Sequence, residues 1–133
     1  MPTIVESIET IERIWASDPP YEITGKYWTT RTKDTINPAM HFGWLPKPYQ
    51  KPGPPIAIPC STPDSASVKV ASRKGWSVIS SALLSTADLA RHWAMFREGC
   101  AEAGREADGR HWRVCRTIHV AATDAEARSR IFS

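Results

Sequence analysis

The stretch Ile56–Ser81, IAIPCSTPDSASVKVASRKGWSVISS, holds a short apolar run, a polar break, a helix-period segment and a second apolar run. Ile56-Ala57-Ile58 reads as a buried strand. Thr62 then suits a helix cap and Pro63 the first helical position, where proline's missing N–H costs nothing. The spacing predicts a helix from Thr62 to Lys74, and Gly75 supplies the left-handed exit. Trp76-Ser77-Val78-Ile79 opens the next strand, so one strand-helix-strand unit is already written in this segment.

Downstream the pattern repeats. Ser85 with Asp88 forms a capping pair, and Leu89, Trp93, Phe96, Cys100 and Ala103 recur at helical steps until Gly104 ends the run. Trp112 to Ala121 reads as a third strand, with Val114, Ile118 and Val120 on one face, and Thr123 with Glu126 caps a further helix. Strands alternating with helices predict an α/β fold with about three parallel β/α units over residues 56–133. Upstream, Ile4, Ile8, Ile11 and Trp15 share one face of a helix over 1–18, which Ser17-Asp18-Pro19-Pro20 stops. Within 19–55, Tyr21–Ile23 and Lys26–Thr30 flank Thr24-Gly25 as a hairpin. The stretch from Arg31 to Pro55, with Pro38, Pro46, Pro48, Pro52, Pro54 and Pro55, reads as a long loop or lid.

The composition sets further limits. In 133 residues, 41% are hydrophobic, enough for a core; 17 Lys+Arg against 14 Asp+Glu leave only +3, dispersed along helices, which argues against nucleic acid as a partner. No stretch is long and apolar enough to span a membrane, and the start, with Glu6, Glu9 and Glu12 among isoleucines, is unlike a signal peptide. Cys60, Cys100 and Cys115 are odd in number and without CxxC spacing; they read as small buried thiols in a cytoplasmic, reducing setting. The histidines at 41, 92, 111 and 119 have no partners at metal-ligand spacing, so no metal is expected. His92 reads as a surface or helix-packing residue and His119 as a hydrogen-bonded core residue. Five of the six tryptophans, Trp15, Trp28, Trp76, Trp93 and Trp112, fall on helix or strand patterns and are expected mostly in the core.

The candidate chemistry lies where strands end. Ser61, Thr62, Ser65 and Ser67 sit at a helix start, where unpaired amides and the helix dipole favour an anion such as phosphate. Asp64 opposes that unless its side chain turns outward. The same residues also read as an ordinary Thr-Pro cap, and the residues alone favour that reading. Ser80 and Ser81 follow the second strand and read either as site residues or as a plain polar connection. His41 and Trp44, in the proline-rich loop, are the candidates for the substrate side.

Several runs carry a resemblance. Ile11–Trp15, Asp18–Glu22, Gly25–Trp28, Lys47–Pro52, Ser61–Ser65, Arg73–Trp76, Arg91–Trp93 and Thr123–Arg128 resemble, in that order, the middle of luciferase-like flavin-dependent monooxygenases. Gly53 and Cys60 depart from the family's usual histidine and small residue. The resemblance implies a central part of a TIM-type (β/α)8 barrel, since about three units are too few to close a barrel of about 250 residues. It implies reduced flavin mononucleotide (FMN) as cofactor, supplied by a separate flavin reductase, with dioxygen and a small organic substrate. It also places the flavin phosphate at Ser61–Ser67 and the flavin ring or substrate near Ser80 and Ser81, with catalytic residues expected before Met1. Two rivals stand beside this: a flavin- or deazaflavin-dependent reductase of the same fold, and a non-catalytic remnant or partner subunit that forms a homo- or hetero-oligomer.

Overall fold

In the computed structural model, which describes residues 2–40 and 42–131, the chain divides into two units, residues 1–55 and 56–133. The first begins with helix α1, Pro2–Ala16, and continues into an antiparallel hairpin of β1, Glu22–Thr24, and β2, Thr29–Arg31. The second strand starts three residues later than the sequence suggested, for a local reason. The amides of Lys26, Tyr27 and Trp28, which a ladder would use, donate instead to the Glu6 carboxylate at 2.9, 2.7 and 2.9 Å. A Cβ at Gly25 would lie 2.3 Å from Glu6 Oε1, so a side chain there would displace the carboxylate from these amides. Trp28, expected in the core, is 51% exposed in consequence.

At the other end of α1, Lys47 Nζ donates to the carbonyls of Ile14 and Ser17 and to the Tyr21 hydroxyl, placing a cation at the helix's negative end. The described residues of the proline-rich segment are irregular, apart from short 3-10 turns at Lys33–Thr35 and Pro38–Met40 and a bridge between Asn37 and Phe42. Trp44 lies on its exposed side, and His41 falls outside the described residues.

The second unit has the expected alternation. Strands β3 (Ala57–Cys60), β4 (Ser77–Ser80) and β5 (Trp112–Val114) pair in that order and all run parallel, with Ala57 opposite Ser77, Cys60 opposite Ser80, and Ser80 opposite Val114. Helices α2 (Ala66–Lys74) and α3 (Thr86–Glu102) make the crossovers and pack on each other; α4 (Asp124–Ile131) follows. Pleating sends alternate side chains to opposite faces. Ile58, Cys60, Val78 and Ser80 are buried with Val68, Ala71, Leu89, Phe96 and Cys100, whereas Ala57 and Pro59, on the opposite face, are exposed. Burying each large apolar side chain of this core contributes about 1.5–3 kcal/mol.

Several expectations are corrected. Helix α2 begins at Ala66, not at Thr62, because residues 62–64 turn before the helix and Ser65 takes the N-cap position, its carbonyl accepting from Val68 N–H in the first turn; Pro63 belongs to the preceding turn. Its exit is as expected: Gly75 has φ +79°, and the Gly75 and Trp76 amides return to the carbonyls of Ser72 and Ala71. The third strand ends at Val114 instead of Ala121, because its partner β4 ends at Ser80, whose carbonyl makes a last bond to Cys115 N–H. Beyond it Ile118 and Val120 are 79% and 81% exposed, and His119 and Cys115, both expected in the core, are exposed as well.

Candidate functional site

Because the three strands are parallel, the loops after β3, β4 and β5 leave from one rim, the carboxyl ends. The rim is knit together by backbone bonds, Ser81 N–H to the Cys60 carbonyl at 3.0 Å and Cys115 N–H to the Ser80 carbonyl at 2.9 Å. It therefore gathers the sequence-predicted Ser61, Thr62, Ser65 and Ser67, from the β3–α2 connection, with Ser80 and Ser81 at the end of β4. Trp44 belongs to the other unit.

On the β3–α2 side, Ser61 and Thr62 are exposed and Ser67 is half-buried in the first turn of α2. Ser65 stands at the N-cap position, yet its hydroxyl makes no cap bond. Cys60, just before this loop, is buried, its thiol donates to the Ile58 carbonyl at 3.8 Å, and burial pushes its pKa up against the opposing effect of the neighbouring Ser65 hydroxyl. Asp64, the one carboxylate of the loop, is turned outward with its side chain 80% exposed, and lies 3.6 Å from Arg91. Arg91 also donates to Asp88, so one guanidinium serves a carboxylate of the loop and one of α3. The remaining donor set, hydroxyls and helix-start amides with the carboxylate turned outward, fits a phosphate group.

Helix α3 is anchored by a full capping box. The Ser85 hydroxyl accepts from Asp88 N–H at 3.1 Å while Asp88 Oδ2 accepts from Ser85 N–H at 3.0 Å. The Ser85 hydroxyl, Arg91 and the Ser85 amide hold the Asp88 pKa at about 2.

The residue that sequence reasoning missed is His92. Expected at the surface or in helix packing, it is wholly buried on α3 and bonded through both ring nitrogens. Nε2 lies 2.9 Å from the Thr62 carbonyl oxygen and Nδ1 lies 2.9 Å from the Ser80 hydroxyl. A carbonyl only accepts, so Nε2 carries a proton; with that single proton on the ring, Nδ1 accepts from the Ser80 hydroxyl. The Ser80 oxygen accepts in turn from Trp112 Nε1–H at 2.9 Å, and Trp112 stacks on Trp93 with ring centroids 5.2 Å apart. Ser80 is thereby fully engaged and 0% exposed, pointing into the helix layer. Ser81 is half-buried at the rim, its hydroxyl accepting from Leu83 N–H at 3.3 Å. The sequence signal that pointed here was the Arg91-His92-Trp93 run, but the partners lie 12 and 30 residues away.

Parallel strands with crossover helices and a hydroxyl-bearing rim at their carboxyl ends define an α/β protein of the kind that binds its ligands at that rim. The chain belongs to the luciferase-like monooxygenase family, which it matches over residues 2–132. It is 29% identical over 128 residues to 3,6-diketocamphane 1,6-monooxygenase of Pseudomonas putida, covering 92% of this chain and 33% of the relative. Among solved structures it is similar to the oxygenating constituent of 3,6-diketocamphane monooxygenase from the CAM plasmid of Pseudomonas putida, a type II Baeyer-Villiger monooxygenase in complex with FMN. That likeness has a TM-score of 0.75 at 26% identity and covers 97% of this chain and 35% of the other. The monooxygenase RslO1 from Streptomyces bottropensis, at 20% identity and a TM-score of 0.69, covers 95% of this chain and 35% of its own length and is alike in fold. The chain thus spans about a third of the length of the relatives it matches. Among the described residues no helix is long and apolar enough to cross a membrane, and no three His, Cys, Asp or Glu side chains gather as metal ligands.

Proposed function

We propose that this chain supplies the phosphate-holding part of a flavin-dependent monooxygenase that uses reduced FMN and dioxygen on a small organic substrate. The observation that carries the reading is the β3–α2 connection: hydroxyls and helix-start amides lie at the carboxyl rim of parallel strands, with Asp64 turned outward toward Arg91. Ser61, Thr62 and Ser67 offer hydroxyls to the phosphate, the first amides of α2 offer N–H groups, and the helix dipole favours the negative charge. Ser80, whose hydroxyl bonds His92, supports the rim from inside, and Ser65 stands at the N-cap position of α2. Ser81 lies beside the ring end in this reading, while His41 and Trp44 remain candidates for the substrate side on the sequence alone. When bound, the flavin would supply the oxygen chemistry, and the protein's part is to hold its phosphate, orient it and keep water out.

The exposed face of the sheet, with Ala57 and Pro59, is in this reading the interior side of a (β/α)8 barrel, whose other strands come from the same polypeptide or from a partner. The family match at FMN-dependent relatives supports monooxygenation over hydride transfer by a reductase. A ketone is the first substrate to test, because the relatives carry diketocamphane in their names. A separate flavin reductase would provide reduced FMN, most simply in the cytoplasm. A second reading, a non-catalytic subunit that needs a partner, is favoured by Leu83, Ile118 and Val120, which are 79–89% exposed.

The test uses the full-length protein. Thr62→Val with Ser67→Ala raises the Kd for FMN about tenfold, the effect of losing one or two bonds to a charged group, and leaves riboflavin, which lacks the phosphate, unchanged. An unaltered FMN affinity refutes the phosphate assignment. Oxygen uptake with chemically reduced FMN and a ketone separates the monooxygenase from the reductase and from the non-catalytic subunit.

A further inference from the structure

We propose that His92 is a positioning residue for the phosphate loop: by donating from behind to the Thr62 carbonyl, it turns inward the one peptide unit of the loop with no N–H to offer an anion. The inference rests on the reading of Ser61–Ser67 as the phosphate-binding segment. Each peptide of that loop presents a carbonyl and, unless proline follows, an N–H. The unit between Thr62 and Pro63 has only the carbonyl, whose partial negative charge would repel a phosphate if it faced the rim. His92 Nε2–H, 2.9 Å from that oxygen, fixes it toward the helix layer.

The grip is firm because the histidine is itself held. Its ring is 0% exposed, and its Nδ1 accepts from Ser80 at 2.9 Å, whose oxygen accepts from Trp112 Nε1–H at 2.9 Å. The carbonyl, which only accepts, takes the ring's Nε2–H, so on a singly protonated ring Nδ1 accepts from Ser80, whose oxygen accepts in turn from the indole N–H. Strands β4 and β5, helix α3 and the loop therefore meet in one relay whose central bond, Ser80 to His92, is buried. Among the described residues no buried side-chain nitrogen or oxygen lacks a hydrogen-bond partner. Replacing His92 with an apolar side chain of similar size leaves the loop carbonyl free to swing toward the phosphate and costs the Ser80 hydroxyl its acceptor. Glutamine retains a side-chain N–H that can reach the carbonyl.

The experiment compares FMN and riboflavin binding to the full-length protein, followed by quenching of flavin fluorescence. His92→Leu is expected to raise the FMN Kd about tenfold while riboflavin stays within about twofold, and His92→Gln to restore most of the preference for FMN. Equal weakening of both flavins in both variants overturns the proposal, because it marks a general role in the fold; so does an unchanged preference in His92→Leu. A wild-type protein that binds riboflavin as tightly as FMN removes the phosphate reading and this proposal with it. If instead Thr62→Val with Ser67→Ala abolishes the preference and His92→Leu does not, only the role of His92 fails. Nitrogen-15 NMR of histidine-labelled wild-type protein gives an answer that needs no variant to fold: a neutral Nε2–H tautomer is expected for His92, and an Nδ1–H tautomer contradicts the relay.

Discussion

Gly99 leaves no room between α2 and α3. A Cβ there would lie 2.0 Å from Ser72 Oγ and 2.7 Å from the Lys69 carbonyl oxygen, and the backbone atom cannot step aside as a side chain can. Gly99→Ala is therefore expected to destabilise by about 1–3 kcal/mol in urea unfolding, the usual cost of overpacking; a change below about 0.5 kcal/mol would show that the helices separate freely. The sequence showed Phe96 and Cys100 on the same helix face but not the close approach at Gly99, because helical spacing identifies a face and says nothing of the distance to its partner. His92 was hidden for the same reason. Its bonds to Thr62 and Ser80 are set by the crossing of α3 over the sheet, and no local pattern encodes that crossing.

Among elements, those stated by neighbouring residues were the readable ones. The capping pair Ser85 and Asp88, the left-handed exit at Gly75 and the turn at Gly104 fixed α2 and α3 to within a few residues, because each is a contact of nearby side chains and amides. Ser85→Ala should cost about 1 kcal/mol, measured by thermal or urea unfolding. Asp88 makes this cap sensitive to acid. Its folded pKa of about 2 lies below the unfolded value of about 3.9, so the contribution is fully present above about pH 4 and is lost as pH falls toward 2. The melting temperature should drop through that window, and Asp88→Asn should remove that part of the drop; an identical acid profile in the variant would exclude Asp88 as its source. The hairpin was legible as a pair of β-prone runs, but its register was not, since Glu6, about twenty residues away, takes the three turn amides. Desolvation works against the Glu6 carboxylate, yet the Tyr27, Trp28 and Lys26 amides outweigh it and hold its pKa below the ordinary value. Glu6→Ala should speed hydrogen exchange at those three amides about tenfold or more, and unchanged rates would contradict the contact.

For the molecule as a whole, alternation of strand and helix was enough to state parallel β/α units, because a parallel pair needs a crossover and the crossovers were visible as capped helices. The length of β5 was not legible: a strand lasts only as long as its neighbour, and β4 stops at Ser80. The 133-residue chain spans about a third of its relatives and leaves Leu83, Ile118 and Val120 in water. By itself it should elute from size-exclusion columns as more than one chain, and a stable monomer would show that these side chains need no cover. The carboxyl rim brings together a buried histidine, an outward-turned aspartate and a helix start, and there the proposed site would take its phosphate. A crystal structure of the full-length protein with FMN tests this most directly. The phosphate should sit within hydrogen-bonding distance of the Ser61, Thr62 and Ser67 hydroxyls and the first amides of α2, and a phosphate bound elsewhere on the molecule would contradict the assignment.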